Sequence, residues 1–210
     1  MTAMADARTI LATAFEPFGG ETINASWEAV ERLEGWRTHG HVVRALKLAC
    51  AYDESVAAFN STYARLRPDI VIATGQAAGS AAIRVERQAR NRDDSLAPDN
   101  RGIVRRGIAA IPDAPERFVT NAPVERIARA IRAAGLPAHV SNSAGGFVCN
   151  HFYFCAGRFL AERDAAARFV FLHVPITPEQ AAGRPAIPFL ASEDVARAIA
   201  IAIETLSGAV

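Results

Sequence analysis

The sequence predicts an α/β protein, a three-layer α/β/α sandwich around a mostly parallel sheet, with residues 1–210 forming a single domain. Three observations carry this. Short continuous apolar runs such as "DIVIATG" (69–75) and "RFVFLHVP" (168–175) have the pattern of strands buried on both faces. They alternate along the chain with segments of helical periodicity. Half of the 210 residues are hydrophobic, enough for one sizeable core.

Taken in order, "TILATAF" (9–15) is a buried strand that runs into the glycine-rich loop "EPFGG". "NASWEAVERLEG" follows as a helix, with Ser26 as N-cap, Trp27, Val30 and Leu33 at helical spacing, and Gly35 as the stop. "HVVRALKLA" (41–49) reads as a second strand, and "YDESVAAFNSTYARL" as a helix that stops before Pro68. "AIRVERQARN" alternates Ile83 and Val85 with charged neighbours, as a more exposed strand would. Residues 91–102 form a polar turn-rich loop, and the stretch to Ala122 fits no single pattern. "PVERIARAIRAAG" is an amphipathic helix between Pro123 and Gly135. "AHVSN" is a strand, "FVCNHFYFCAGRFLAE" a helix, "RFVFLHVP" a buried strand, and "SEDVARAIAIAIETL" a closing helix capped by Ser192.

Charge and cysteine usage narrow the function classes. With 23 Lys+Arg against 22 Asp+Glu and no long run of either sign, the chain has no stripe that would track phosphates, so nucleic acid is not an expected partner. Three cysteines, widely spaced and without a C-x-x-C pair, do not suggest a disulfide framework, and the N-terminal residues lack the layout of a secretory leader. A reduced, cytoplasmic protein is expected. No run approaches the ~18 apolar residues of a membrane span.

In open parallel sheets, ligands collect where the carboxyl ends of strands meet helix N-termini with unpaired N–H groups. Cys149, in "SNSAGGFVCNHFYF", follows a strand and a Gly-Gly turn and falls in the first turn of the next helix. There the helix dipole favours a thiolate, and backbone N–H groups are placed to receive an oxyanion. His173, at the end of "RFVFLHVP", is expected at the same sheet edge. Both residues also fit ordinary core positions, and Cys155 fits one better. A Cys–His pair needs a third group to hold the imidazole. The acids Glu16, Glu21, Asp69, Glu86, Asp93, Asp94 and Asp99 are all open to that role, and Glu86 in "RVERQ" equally describes an exposed, ion-paired glutamate. No metal is expected, because Cys149 and His151, two apart, point to different sides of a helix. "EPFGGETINAS" lacks the lysine and glycine spacing of phosphate-binding loops, and no cofactor is expected.

Four stretches, "TAFEPFGGETINASWEAV" (13–30), "TGQAAGSAAIRVERQARN" (74–91), "VSNSAGGFVCNHFYF" (140–154) and "FLHVPITPEQ" (171–180), together resemble the pyroglutamyl-peptidase I family, also called pyrrolidone-carboxylate peptidases. The resemblance implies a cysteine peptidase that removes an N-terminal pyroglutamyl residue from peptides through a thioester. It assigns the triad to Glu86, Cys149 and His173. It sets Phe15 and Phe18 of "FEPFGG" against the lactam ring and adds Asn24 and Gln76 as polar binding positions. It also implies a homo-oligomer, a tetramer in microbial members.

The mechanism implied requires a reactive thiol of low pKa at Cys149 and no metal. Two positions depart from the family pattern: Ala14 where glycine is usual, and Leu96 where an arginine is frequent. They motivate an alternative, a pyroglutamate-binding module without turnover. A cysteine hydrolase of another cyclic or blocked amide is the third reading.

Overall fold

The computed structural model describes residues 8–208. From the amino terminus the elements are strand β1 (Arg8–Phe15), helix α1 (Ala25–Glu31), β2 (Arg37–Thr38), β3 (His41–Leu48), α2 (Tyr52–Leu66) and β4 (Ile70–Gln76). Next come β5 (Ile83–Glu86), β6 (Gln88–Arg90), β7 (Asp93–Asp94), β8 (Arg106–Ile108), β9 (Arg117–Val119) and α3 (Val124–Ala133). The chain closes with β10 (Ala138–Ser141), α4 (Val148–Arg163), β11 (Arg168–Val174), the single-turn α5 (Pro178–Ala181) and α6 (Ser192–Ser207).

Seven strands form the central sheet in the order β10-β5-β11-β4-β1-β3-β2. The block β11-β4-β1-β3 is parallel, whereas β5 runs antiparallel to β11 and carries β10 parallel to itself. Strand period two separates two apolar layers. Ile72, Ile83, Val85, Val170 and Leu172 pack under α1, α3 and α6, while Val71, Ala73, Phe169 and Phe171 pack under α2 and α4. Sheet and two helical layers make the three-layer sandwich that the alternation of elements predicts.

Several local expectations are corrected. Asn24, not Ser26, caps α1: its Oδ1 accepts the Ser26 N–H at 3.0 Å and the Ser26 hydroxyl at 2.7 Å. Ser192 is the first helical residue of α6, whose cap, Ala191, makes no side-chain bond. The segment read as an exposed strand is interior: β5 lies between β10 and β11, with Ile83, Val85 and Glu86 buried. Its alternation reflects a charged constellation on one face, in which Glu86 is buried and Arg84 is partly exposed. The unpatterned stretch before Ala122 supplies β8 and β9, which close two small ribbons with β7 and β6.

Candidate active site

The parallel block brings the carboxyl ends of β1, β4 and β11 to one edge, and side-chain parity decides what faces α4 there. In β4 the α4-facing residues are Val71, Ala73 and then Gly75; in β11 they are Phe169, Phe171 and then His173. Gly75 and His173 are register partners. Cys149, second residue of α4, lies directly over Gly75: a Cβ on Gly75 would come within 2.8 Å of its Sγ and 2.9 Å of the Phe171 ring. Only glycine leaves room for the thiol over this position, whose register partner is His173.

The route by which Cys149 reaches this edge differs from the expected one. Because β10 is antiparallel to β11, its carboxyl end, Ser141, lies on a level with Phe171 and points away from the His173 end. Residues 142–147 carry the chain back to the edge before α4 begins. That return is packed tightly: the Asp94 N–H donates to the Gly146 carbonyl at 2.8 Å, and a Cβ on Gly146 would sit 2.6 Å from the Asp94 carbonyl oxygen.

The third group comes from β5. Ile83 and Val85 face the α3 layer, so Arg84 and Glu86 face α4 together with His173. Glu86 Oε1 is 2.8 Å from His173 Nδ1. The Glu86 side chain is 0% exposed and its Oε2 has no hydrogen-bond partner among the described residues, so the expected glutamate is ion-paired, through Arg84, but buried and not exposed. A carboxylate only accepts, so Nδ1 carries the proton and Nε2 is left unprotonated. Tyr153 anchors the end of β5 by donating its hydroxyl to the Glu86 backbone carbonyl at 2.9 Å.

Electrostatics correct one further expectation. Cys149 is 9% exposed, and burial, reinforced by the Glu86 charge, pushes its thiol up to about 12 against the smaller opposing pulls of Arg84 and the helix-start N–H. Desolvation outweighs the helix dipole here. His173, 4% exposed, is held below the ordinary histidine value by burial, and the Glu86 bond only partly offsets this. Both shifts favour the uncharged forms, the thiol of Cys149 and the imidazole of His173.

Phe15 is fully buried and meets Phe152 edge-on at 5.7 Å, whereas Phe18 is half-buried, 5.9 Å from Phe147, which precedes α4. Gln76 and Asn24 serve the start of α1. Gln76 Oε1 accepts the Ala25 N–H at 2.9 Å, and Asn24 Nδ2 donates to the Glu16 carbonyl at 3.0 Å, tying down the loop between them. The "TPEQ" turn reaches the same loop: Thr177 and Gln180 form a capping box on α5, and Gln180 donates to Glu21 and to the Ile23 carbonyl. Ala14 is buried in the layer facing α1 and α6, on the side of the sheet away from α4, and Leu96 is 76% exposed.

A second network on α4 went unread in the sequence. His151 Nδ1 is 2.8 Å from Asp93 Oδ2, Arg105 reaches the same oxygen at 3.1 Å and also pairs with Asp53, and Cys155 Sγ lies 3.7 Å from His151 Nε2. The signal for it was the i, i+4 spacing of His151 and Cys155. A hollow of about 430 Å³ opens beside it, lined by Asp53, His151, Cys155 and Phe159 among others and by none of Cys149, His173 or Glu86. Among the described residues, no group of three His, Cys, Asp or Glu side chains is placed to hold a metal ion, and no helix is long and apolar enough to cross a membrane.

A thiol at a helix start, an imidazole at the adjacent strand end and a buried carboxylate behind it define the class of α/β proteins built for cysteine-based acyl transfer. The model of the pyroglutamyl peptidase family matches residues 8–208. The chain belongs to that family. It is 43% identical over 198 residues to the pyrrolidone-carboxylate peptidase of Escherichia fergusonii, covering 94% of this chain and 92% of that one. The Cupriavidus necator pyrrolidone-carboxylate peptidase is 42% identical over 199 residues, covering 94% and 92%. The crystal structure of Bacillus amyloliquefaciens pyroglutamyl peptidase I superimposes with a TM-score of 0.92 at 35% identity, covering 96% of this chain and 97% of that one. A variant of the pyrrolidone carboxyl peptidase of the hyperthermophile Pyrococcus furiosus gives 0.90 at 32% identity, covering 93% and 96%.

Proposed function

We propose that this chain is a cysteine exopeptidase that releases N-terminal pyroglutamate from peptides. The single observation that carries the mechanism is the Glu86–His173 bond of 2.8 Å at the level of Gly75, the residue over which the Cys149 thiol lies. His173 Nε2 takes the Cys149 proton as sulfur attacks the carbonyl carbon joining pyroglutamate to the next residue. The C–N bond then breaks, His173 returns the proton to the leaving amine, and a thioester remains. Water adds to the thioester with His173 again as base, the C–S bond breaks, and pyroglutamate leaves as the thiol is restored. Glu86 keeps Nδ1 protonated throughout and steadies the imidazolium. Backbone N–H groups at the start of α4 receive the oxyanion.

Phe15 and Phe18 provide the apolar walls for the lactam, and Asn24 and Gln76 bind through the loop they hold. The lactam nitrogen is neutral, so an apolar pocket accepts it, whereas a charged amino terminus would lose hydration without a partner. Free, buried Cys50, Cys149 and Cys155 suit a reducing, cytoplasmic setting. The exposed Leu96, Ile103, Val104 and Ile108, close together in sequence, suit a contact between copies of the chain and a homo-oligomer, a tetramer by resemblance.

Release of a fluorescent amine from its pyroglutamyl amide, under reducing conditions with a chelator present, tests the reading. Wild type is expected to turn over, and Cys149→Ala to lose at least about 10³-fold. Equal rates for the two, or cleavage of prolyl and free-glutamyl amides as readily as the pyroglutamyl one, would remove it.

A further inference from the structure

Arg84 stands in the site and has no role in the mechanism above. It is the register partner of His173 across the β5·β11 pair and lies on the same face of β5 as Glu86, two residues on. Its Nε donates to Glu86 Oε1 at 3.1 Å, the same oxygen that His173 uses, and its Nη2 lies 3.2 Å from His173 Nδ1. Its side chain is 29% exposed while the carboxylate it serves is 0% exposed. We propose that Arg84 is a positioning residue that, by sharing Glu86 Oε1 with His173, balances the buried carboxylate and keeps the imidazole neutral and able to accept the Cys149 proton.

A buried carboxylate demands a compensating cation. Among the described residues two groups touch Glu86 Oε1, and if the guanidinium supplies the charge the imidazole need not. Without Arg84, His173 is the only group among the described residues left against that oxygen; it would meet the demand by taking up a proton and would then be unable to act as base. The charged or titratable groups facing His173 are Glu86 and Arg84 from β5, and Cys149 from α4 faces the same pair. Arg84 acts on both partners in the same sense, lowering the proton affinity of His173 and of the Cys149 thiol. Removing a like charge a few ångströms from an imidazole raises its proton affinity, by about one pH unit where, as here, the charge removed is itself partly exposed.

The kinetic arm of the test rests on the peptidase reading; the chemical arm does not. Wild type, Arg84→Gln and Arg84→Lys are compared for the pH dependence of kcat/KM on a pyroglutamyl amide. In parallel, the pH dependence of iodoacetamide alkylation at Cys149 is read by peptide mass mapping, with circular dichroism to confirm folding. The acid limb of both profiles is expected to move up by about one pH unit in Arg84→Gln and to stay within about 0.3 of wild type in Arg84→Lys, which keeps the charge. If Arg84→Gln does not fold, Arg84→Ser carries the same expectation. A loss of rate with no movement of either limb, or equal movement in the Gln and Lys variants, would overturn the proposal by reducing Arg84 to a structural hydrogen bond. Movement of the alkylation limb in a protein that turns over no pyroglutamyl amide would sustain the proposal and remove the peptidase reading instead.

Discussion

Gly75 shows how much one side chain, or the lack of one, decides. Its missing Cβ is the space the Cys149 sulfur and the Phe171 ring occupy, so Gly75→Ala must displace one of them. We expect that variant to lose about 1–3 kcal/mol of stability, read by urea denaturation, and at least tenfold in kcat/KM; a wild-type rate would show that the thiol tolerates displacement. His173 sets a pH dependence of definite sign. Burial holds its proton affinity below the ordinary value near 6.5, so the acid limb of kcat/KM should fall below that pH. By linkage, stability should decline as pH drops below about 6.5, where the unfolded chain binds a proton that the native His173 refuses. An acid limb above pH 7 would show that Glu86 dominates over burial. The identities of Cys149 and His173 could be read from a Gly-Gly turn and a strand end. The protonation state of the thiol could not, because desolvation depends on what packs over it.

At the scale of elements, the loop between β1 and α1 is held by three different pieces of chain. Asn24 caps α1 and grips the Glu16 carbonyl, Gln76 from β4 receives the Ala25 N–H, and Gln180 from α5 reaches Ile23 and Glu21. Asn24→Ala should cost about 1 kcal/mol in thermal or urea unfolding and raise KM more than it lowers kcat, since the loop carries Phe18. Asn24→Asp keeps the cap oxygen and should recover most of the stability; failure to do so would point to the Glu16 contact as the larger contribution. Helix and strand periods identify α2, α3, α4, β1, β3, β4, β10 and β11 from sequence. The caps were misread by a residue or two because Ser, Thr and Asn compete for the role, and only the extended backbone at Asn24 selects it. β5 was misjudged for a different reason: charges at alternate positions look solvent-facing until Glu86 and Arg84 are seen against His173.

For the whole molecule, three buried thiols couple stability to alkaline pH. Burial raises Cys149 and Cys155 to about 12 and Cys50 further still, whereas the unfolded chain ionises near pH 9. Raised thiols contribute stability that is complete below pH 9 and is lost as pH climbs toward the native values. Each should withdraw about 1 kcal/mol per pH unit over that window. Urea midpoints under reducing conditions should therefore fall steeply between pH 9 and 10.5 after a plateau from 7 to 8.5. A flat profile would mean that the thiols ionise inside the native fold.

The sequence by itself determined the fold class, the order of elements and the residues able to carry nucleophile and base, because those follow from local periods and from the chemistry of single side chains. It left Glu86 one acid among seven until the family resemblance singled it out. The tertiary structure decided how these groups meet. It reversed β5 and β10 against the parallel block, sent residues 142–147 back to the carboxyl edge, and set Arg84 and Glu86 opposite His173. The physical reason is that register, burial and the sharing of one carboxylate oxygen are properties of strands brought together from positions more than eighty residues apart, and no local pattern encodes them.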